Sequence, residues 1–207
     1  RRLRGTVLTP TVVREYDREA ADCRIERATF GVGCFWGPDA AFGALDGVVR
    51  TRVGYAGGST ADPTYGSLGD HSEVVQIEFD PDRLAYREIL AEVFTSHNPY
   101  EQPAKRQYHN VVLAESERQF ETIRDLLDDS DFDPDRVETR IEGLGEFTLA
   151  EHYHQKYSLR GKRWAREPFE EAGYDAAAIR ESPAAAKLNA DLAGHDAAAP
   201  FLDARTR

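Results

Sequence analysis

The tract Glu73–Phe79 (EVVQIEF) alternates polar and apolar side chains and halts at Asp80-Pro81. That alternation predicts a β-strand. Within a few residues the period changes, because Leu84, Ile89, Leu90, Val93 and Phe94 fall on one stripe of a helix. A chain that switches so closely between the two periods must pack helices on a sheet. The same switch recurs. Arg27–Gly33 (RATFGVG) is a short apolar run of buried-strand type, and Pro38 suits the first turn of a helix with a stripe of Ala41, Phe42 and Leu45 that ends at Gly47. Val48–Val53 and Tyr108–Ala114 read as further strands, and Ser116 as the cap of a helix reaching about Asp128. Val137–Ile141 is a candidate short strand. The predicted class is α+β, one mixed sheet with packed helices.

Two stretches resist both periods. Residues 54–70, GYAGGSTADPTYGSLGD, are rich in Gly, Ser, Asp and Pro, and a second irregular stretch runs from His97 to about Arg106. Loops this long in a compact domain usually build a site. Residues 1–26 read as a polar lead-in, 27–160 as the catalytic domain, and 161–207 as an Ala-rich, charged, peripheral extension. There are no internal repeats.

With 41% hydrophobic and 30% charged residues the chain is expected to be globular. Its net charge of -11 argues against nucleic acid, which needs a basic face. No apolar run approaches the ~20 residues that span a bilayer, and no apolar segment follows the basic first residues as a signal peptide requires. A cytoplasmic monomer is expected. Two cysteines, Cys23 and Cys34, make neither a disulfide framework nor a zinc site. His152 and His154 lie two apart, a spacing that points the rings apart on a helix and favours packing over a metal.

Cys34 stands between a predicted strand and a predicted helix, flanked by Gly33 and Gly37. A helix N-terminus favours the thiolate, the reactive form of cysteine. Phe35 and Trp36 follow at once and can wall a small apolar group such as a methyl. These residues alone leave two readings open, a nucleophile or a small buried hydrophobe.

The motif Gly33-Cys34-Phe35-Trp36-Gly37 resembles the signature of peptide methionine sulfoxide reductase A. In the same order follow Gly54-Tyr55-Ala56-Gly57-Gly58, Pro63-Thr64-Tyr65, His71-Ser72-Glu73-Val74-Val75, Phe79-Asp80-Pro81, His97-Asn98-Pro99, Gln107-Tyr108 and Ala150–Tyr157. The resemblance spans about residues 27 to 160. It implies a ferredoxin-like core and reduction of methionine-(S)-sulfoxide, protein-bound or free, through a Cys34 sulfenic acid. It implies that Glu73 protonates the sulfoxide oxygen, Tyr65 and Tyr108 hydrogen-bond it, and Phe35 and Trp36 surround the methyl. A sulfoxide oxygen leaves only once protonated, so attack on sulfur needs a positioned acid. Apolar walls raise a carboxyl's pKa and keep its proton. Without the resemblance, Glu73 reads as a solvated strand-end charge and the tyrosines as sheet-edge aromatics.

Two departures from the family stand out. No cysteine follows Cys34, and an extended 27–33 separates Cys23 from it by roughly 20 Å at ~3.3 Å per residue, against the ~7 Å limit for a disulfide. Unless the N-terminal segment folds back, the cycle uses one cysteine, no bound cofactor, and an external thiol such as thioredoxin or a small-molecule thiol. The segment between His97 and Tyr108 is shorter than in the family and lacks its Asp; Asn98 and Glu101 are candidate substitutes. Two competing readings are a low-turnover relative that binds methionine sulfoxide or senses oxidants through Cys34, and a cysteine hydrolase with His71 as partner.

Overall fold

A computed structural model describes residues 7–202. Helix α1 (Pro10–Ala20) precedes a β-α-β-β-α-β run of β1 (Glu26–Val32), α2 (Trp36–Gly43), β2 (Val48–Ala56), β3 (Ser72–Phe79), α3 (Tyr86–Thr95) and β4 (Asn110–Ala114). Then come α4 (Glu117–Asp129), β5 (Arg140–Gly143), β6 (Thr148–Leu149), α5 (Tyr157–Arg160), α6 (Arg163–Glu171), α7 (Ala176–Glu181) and α8 (Pro183–Leu192). The sheet order is β5-β4-β1-β3-β2-β6, antiparallel throughout except for the parallel β4–β5 pair. The four inner strands, β4-β1-β3-β2, form the split β-α-β arrangement of a ferredoxin-like core, and the fold is α+β as expected.

The register decides where chemistry can gather. Since β3 runs against β1 and β2, its first residues lie beside their last ones: Tyr55 pairs with Glu73 and Ala56 with Ser72. On the other side of β1, Val32 pairs with Asn110, the first residue of β4. Cys34, Glu73, the end of β2 and the entry to β4 therefore share one edge. One core packs Phe30, Phe79, Ile77 and Val75 of the sheet against Ile89, Leu90, Val93 and Phe94 of α3. The Tyr108 strand begins two residues later than its sequence suggests, because Arg106–Tyr108 form a 3-10 turn.

Both ends of the chain differ from their expected roles. The lead-in contains α1, capped by the Thr9 hydroxyl, which accepts from Val12 N at 3.2 Å, with Pro10 in its first turn. Val13 is fully buried there. One buried side chain in a charged helix makes too faint a stripe to read. The segment after residue 160 is not peripheral either. Helices α5, α6 and α8 form a second core with α1, including Leu159, Phe169, Leu188 and Phe201. Every residue of α8 from Pro183 to Ala190 is buried. A helix of small and polar residues buried on every side shows no apolar stripe, which hides it from a periodicity reading. Its small alanines let it approach α2 closely: a Cβ on Gly43 would sit 3.2 Å from Ala186 O. Lys187 Nζ donates to Gly43 O and Leu45 O, at 2.9 and 2.7 Å, and so caps the C-terminus of α2. The first six residues of the expected lead-in and the last five of the extension lie outside the described residues.

Candidate active site

Strand β1 delivers the chain to Gly33, whose φ of +94° only glycine adopts without strain, and the turn presents Cys34 to solvent. Helix α2 starts two residues on. Burial pushes the Cys34 thiol above its ordinary pKa; the backbone N–H of Trp36 opposes this, and the Glu73 charge adds to it. The N–H at the start of α2 favours the thiolate as expected, but burial and the Glu73 charge outweigh it. One N–H reaches the sulfur from a two-turn helix, too little against burial and a neighbouring carboxylate.

Glu73, second residue of β3, is 1% exposed, not a solvated strand end. Its Oε2 accepts from Phe35 N at 3.1 Å and its Oε1 from Gln107 Nε2 at 2.7 Å. Burial raises its pKa, and those two hydrogen bonds only partly counter the rise. The Phe35 N–H joins the acid directly to the Cys34 turn.

Tyr108 ends the 3-10 turn beside Glu73. Its phenol is pushed up by burial, then by the charges of Glu73, Tyr65 and Cys34, and it shares a hydrogen bond with Tyr65. Tyr108 thus neighbours Glu73, Tyr65 and Cys34, the other polar residues singled out in the sequence. Tyr65, 43% exposed, comes from the long 57–71 loop, which is pinned where its backbone N–H donates to Glu151 Oε1 at 2.9 Å.

The aromatic wall is built from both halves of the chain. Phe35 is buried against Tyr55 and His154, with ring centroids 5.9 and 5.1 Å away. Trp36 stacks face to face on Tyr157 at 3.8 Å, and its Nε1 donates to His154 Nδ1 at 3.1 Å. His154 is a packing residue, as the sequence suggests, and it also orients the indole. Accepting at Nδ1 fixes the neutral tautomer with the proton on Nε2. Burial holds its pKa down, opposed by Glu151. No group of three or more His, Cys, Asp or Glu among the described residues is placed to hold a metal.

Sequence reasoning missed the residues that hold these groups in place. Gln107 orients Glu73, and Glu151 bridges Tyr55, whose hydroxyl donates to it at 2.7 Å, and the Tyr65 backbone. A buried pair anchors α2: Lys156 Nζ lies 3.4 Å from Asp39 Oδ1 and donates to Thr51 O at 2.6 Å, while Thr51 Oγ1 donates to Asp39. Asp39 and Lys156 are 117 positions apart, so only the fold reveals the pair.

Other expectations are corrected. Asn98 accepts from its neighbour Tyr100 N, and Glu101 is exposed with its carbonyl on Asn110 Nδ2; neither joins the bonds to Glu73. The short loop takes an Asx turn instead. His71 is committed to loop backbone, Nδ1 accepting from Gly58 N and Nε2 donating to Thr60 O, so it is no base for Cys34. Cys23 donates to Ala20 O across the full length of β1 from Cys34, about 20 Å at the strand rise. Both thiols are free.

Known proteins resemble this chain in sequence and fold. The sequence profile described as peptide methionine sulfoxide reductase matches residues 26–182. A peptide methionine sulfoxide reductase of Drosophila melanogaster is 39% identical over 171 residues, 81% of this chain and 68% of that protein. The peptide methionine sulfoxide reductase MsrA of Methanothermobacter thermautotrophicus is 41% identical over 152 residues, 68% of this chain and 90% of its own. Among solved structures, methionine sulfoxide reductase A of Corynebacterium diphtheriae superposes with a TM-score of 0.61 at 28% identity, covering 68% of this chain and 77% of that one. The profile match over most of the chain and these identities agree with the fold and the Cys34 motif: the chain belongs to the peptide methionine sulfoxide reductase family and is a methionine sulfoxide reductase, an oxidoreductase.

Proposed function

We propose that this chain reduces methionine-(S)-sulfoxide, in proteins or free, with Cys34 as nucleophile and Glu73 as acid. The carrying observation is the buried Glu73, bonded to the backbone of the Cys34 turn and pushed toward its protonated form. The Cys34 sulfur attacks the sulfoxide sulfur while Glu73 gives a proton to the departing oxygen, and Tyr65 and Tyr108 donate to that oxygen without adding charge. The S–O bond breaks and the oxygen leaves as water, carrying the Glu73 proton and the thiol proton. Water then adds to the Cys34 sulfur, the S–S bond breaks to release methionine as the thioether, one proton returns to Glu73, and Cys34 is left as a sulfenic acid. Two equivalents of an external thiol, from thioredoxin or a small molecule, then return Cys34 to the thiol with loss of water and formation of their disulfide. The remoteness of Cys23 supports this one-cysteine cycle.

Pyramidal sulfur makes such a site stereospecific. Fixing the oxygen at the tyrosines, the methyl at Phe35 and Trp36, and the attack line at Cys34 leaves one direction for the substrate chain, so one epimer fits. The preference for S is carried over from the family resemblance. The low-turnover sensor reading is less well supported, since a thiol held above its ordinary pKa reacts slowly with peroxide.

The test is a stereospecific assay with dithiothreitol. The expected result is consumption of the S epimer alone, abolished in Cys34→Ser. Equal consumption of both epimers, or full activity in Cys34→Ser, refutes the reading.

A further inference from the structure

We propose that the groove beside the Trp36–Tyr157 stack is a subsite for the residues flanking methionine sulfoxide in a polypeptide, and that it prefers an acidic neighbour. The inference rests on the reductase reading, which needs only a methyl sulfoxide; the groove concerns what surrounds it. It encloses about 410 Å³ and is lined by Tyr153, Tyr157, Arg160, Lys162 and Leu192 among others. Two ring contacts join it to the catalytic edge. Tyr157 stacks on Trp36 at 3.8 Å, and Tyr153 lies 4.2 Å from His154, itself 4.7 Å from Tyr65. The groove thus begins one ring beyond the wall that receives the methyl. At ~3.3 Å per extended residue, neighbours one to three positions from the oxidised methionine fall within it.

Tyr153 and Tyr157 are 55% and 48% exposed, large apolar faces with polar tips of the kind that grip peptides. The charge is the discriminating feature. In a chain of net charge -11, this groove is lined, among the described residues, by two cations and by no carboxylate. Arg160 is held in place by its Nε bond to Gln155 O at 3.3 Å, and Lys162 is exposed at the start of α6, whose first-turn N–H groups add positive potential.

The test measures fluorescence anisotropy of labelled heptapeptides with a central methionine sulfoxide flanked by Asp or by Lys, on the Cys34→Ser protein, which cannot turn them over. The Asp peptide is expected to bind about fivefold tighter at low salt, the effect of two partly exposed ion pairs, with near parity at 1 M NaCl. Lys162→Gln is expected to cut the preference to about twofold, the Arg160 pair remaining, and Lys162→Glu to abolish it, with turnover of N-acetylmethionine sulfoxide unchanged in a Cys34 background. Equal binding of both peptides, or a preference that survives Lys162→Glu, overturns the proposal. So does a Lys162→Glu protein that loses only thioredoxin-driven turnover with peptide binding intact, which assigns the groove to the reductant. Selective binding without any sulfoxide reduction supports the groove and strikes at the catalytic reading alone.

Discussion

Gln107 offers the sharpest test of how the acid is tuned. Its amide donates to Glu73 Oε1 at 2.7 Å and, with Phe35 N, is one of two bonds that oppose the effect of burial on that carboxyl. Gln107→Met keeps the length of the side chain and removes the donor. A hydrogen bond to a charged group contributes about 1.5–3 kcal/mol, and at 1.36 kcal/mol per pKa unit its loss raises Glu73 by roughly 1–2 units. Under the proposed reaction Glu73 must carry a proton. The alkaline limb of the single-turnover rate of pre-reduced enzyme, followed as methionine formed per Cys34 between pH 5 and 10, therefore moves up by the same 1–2 units. Stability follows with a definite sign. Because the folded pKa of Glu73 lies above the unfolded one, the folded protein holds this proton longer. Its stabilising contribution is complete below the ordinary carboxylate range and is lost as pH rises through the folded pKa. The deficit of Gln107→Met in urea melts should thus be small near pH 4 and grow toward ~1.5–3 kcal/mol at alkaline pH. An alkaline limb that stays in place, with the variant folded, would refute the assignment of Gln107 as the group that sets this acid.

Three further outcomes follow from the same geometry. Lys156→Met leaves Asp39 charged, buried and unpaired beneath α2, and should cost about 3–5 kcal/mol in a denaturant melt, whereas Lys156→Met with Asp39→Leu should recover most of that; an additive double variant contradicts the pairing. Gly33→Ala places a Cβ at φ +94° where nothing crowds it, so the expected loss is backbone strain of about 1–2 kcal/mol with a displaced Cys34 and lower kcat; unchanged turnover argues against the turn as the aiming device. Cys23→Ser should retain full steady-state activity with dithiothreitol or thioredoxin, since the length of β1 separates it from Cys34; a trapped Cys23–Cys34 disulfide by mass spectrometry would reverse that conclusion.

The four inner strands are legible because they and their helices announce themselves within ten residues, whereas β5 lies three residues later than its apolar run suggests and the two-residue β6 has no pattern to read. EVVQIEF and the stripe from Leu84 to Phe94 need no distant partner to be recognised, and β3 and α3 lie where those patterns predict. What escaped depends on long-range contact. Glu73 is buried and is held by Phe35 and Gln107, 38 and 34 positions away. The wall around Trp36 is completed by His154 and Tyr157, whose spacing in the sequence says only that they share a turn. Helix α8 was misjudged because an alanine run buried on every side has no period to read. At Cys34 the helix N-terminus is visible in sequence, while the burial and the carboxylate that outweigh it are not.

The balance of charges at Cys34 bears on how one cysteine can work without a nearby partner to rescue it. Cys34 and Glu73 each sit above their ordinary pKa, and the charge of Glu73 is among the causes for Cys34. Neighbouring acids that oppose each other's ionisation titrate as a pair. While Glu73 is ionised, its charge keeps the thiol protonated and poorly reactive toward peroxide. Once Glu73 takes up a proton, the charge that held the thiolate back disappears, and the acid needed by the sulfoxide oxygen is in place. Nucleophile and acid thus become competent together. With this coupling, Glu73→Gln should lower the Cys34 pKa, read as faster iodoacetamide alkylation near pH 7, while abolishing sulfoxide reduction at every pH. Slower alkylation in that variant would show that the carboxylate helps the thiolate form, and would break the link between the two groups.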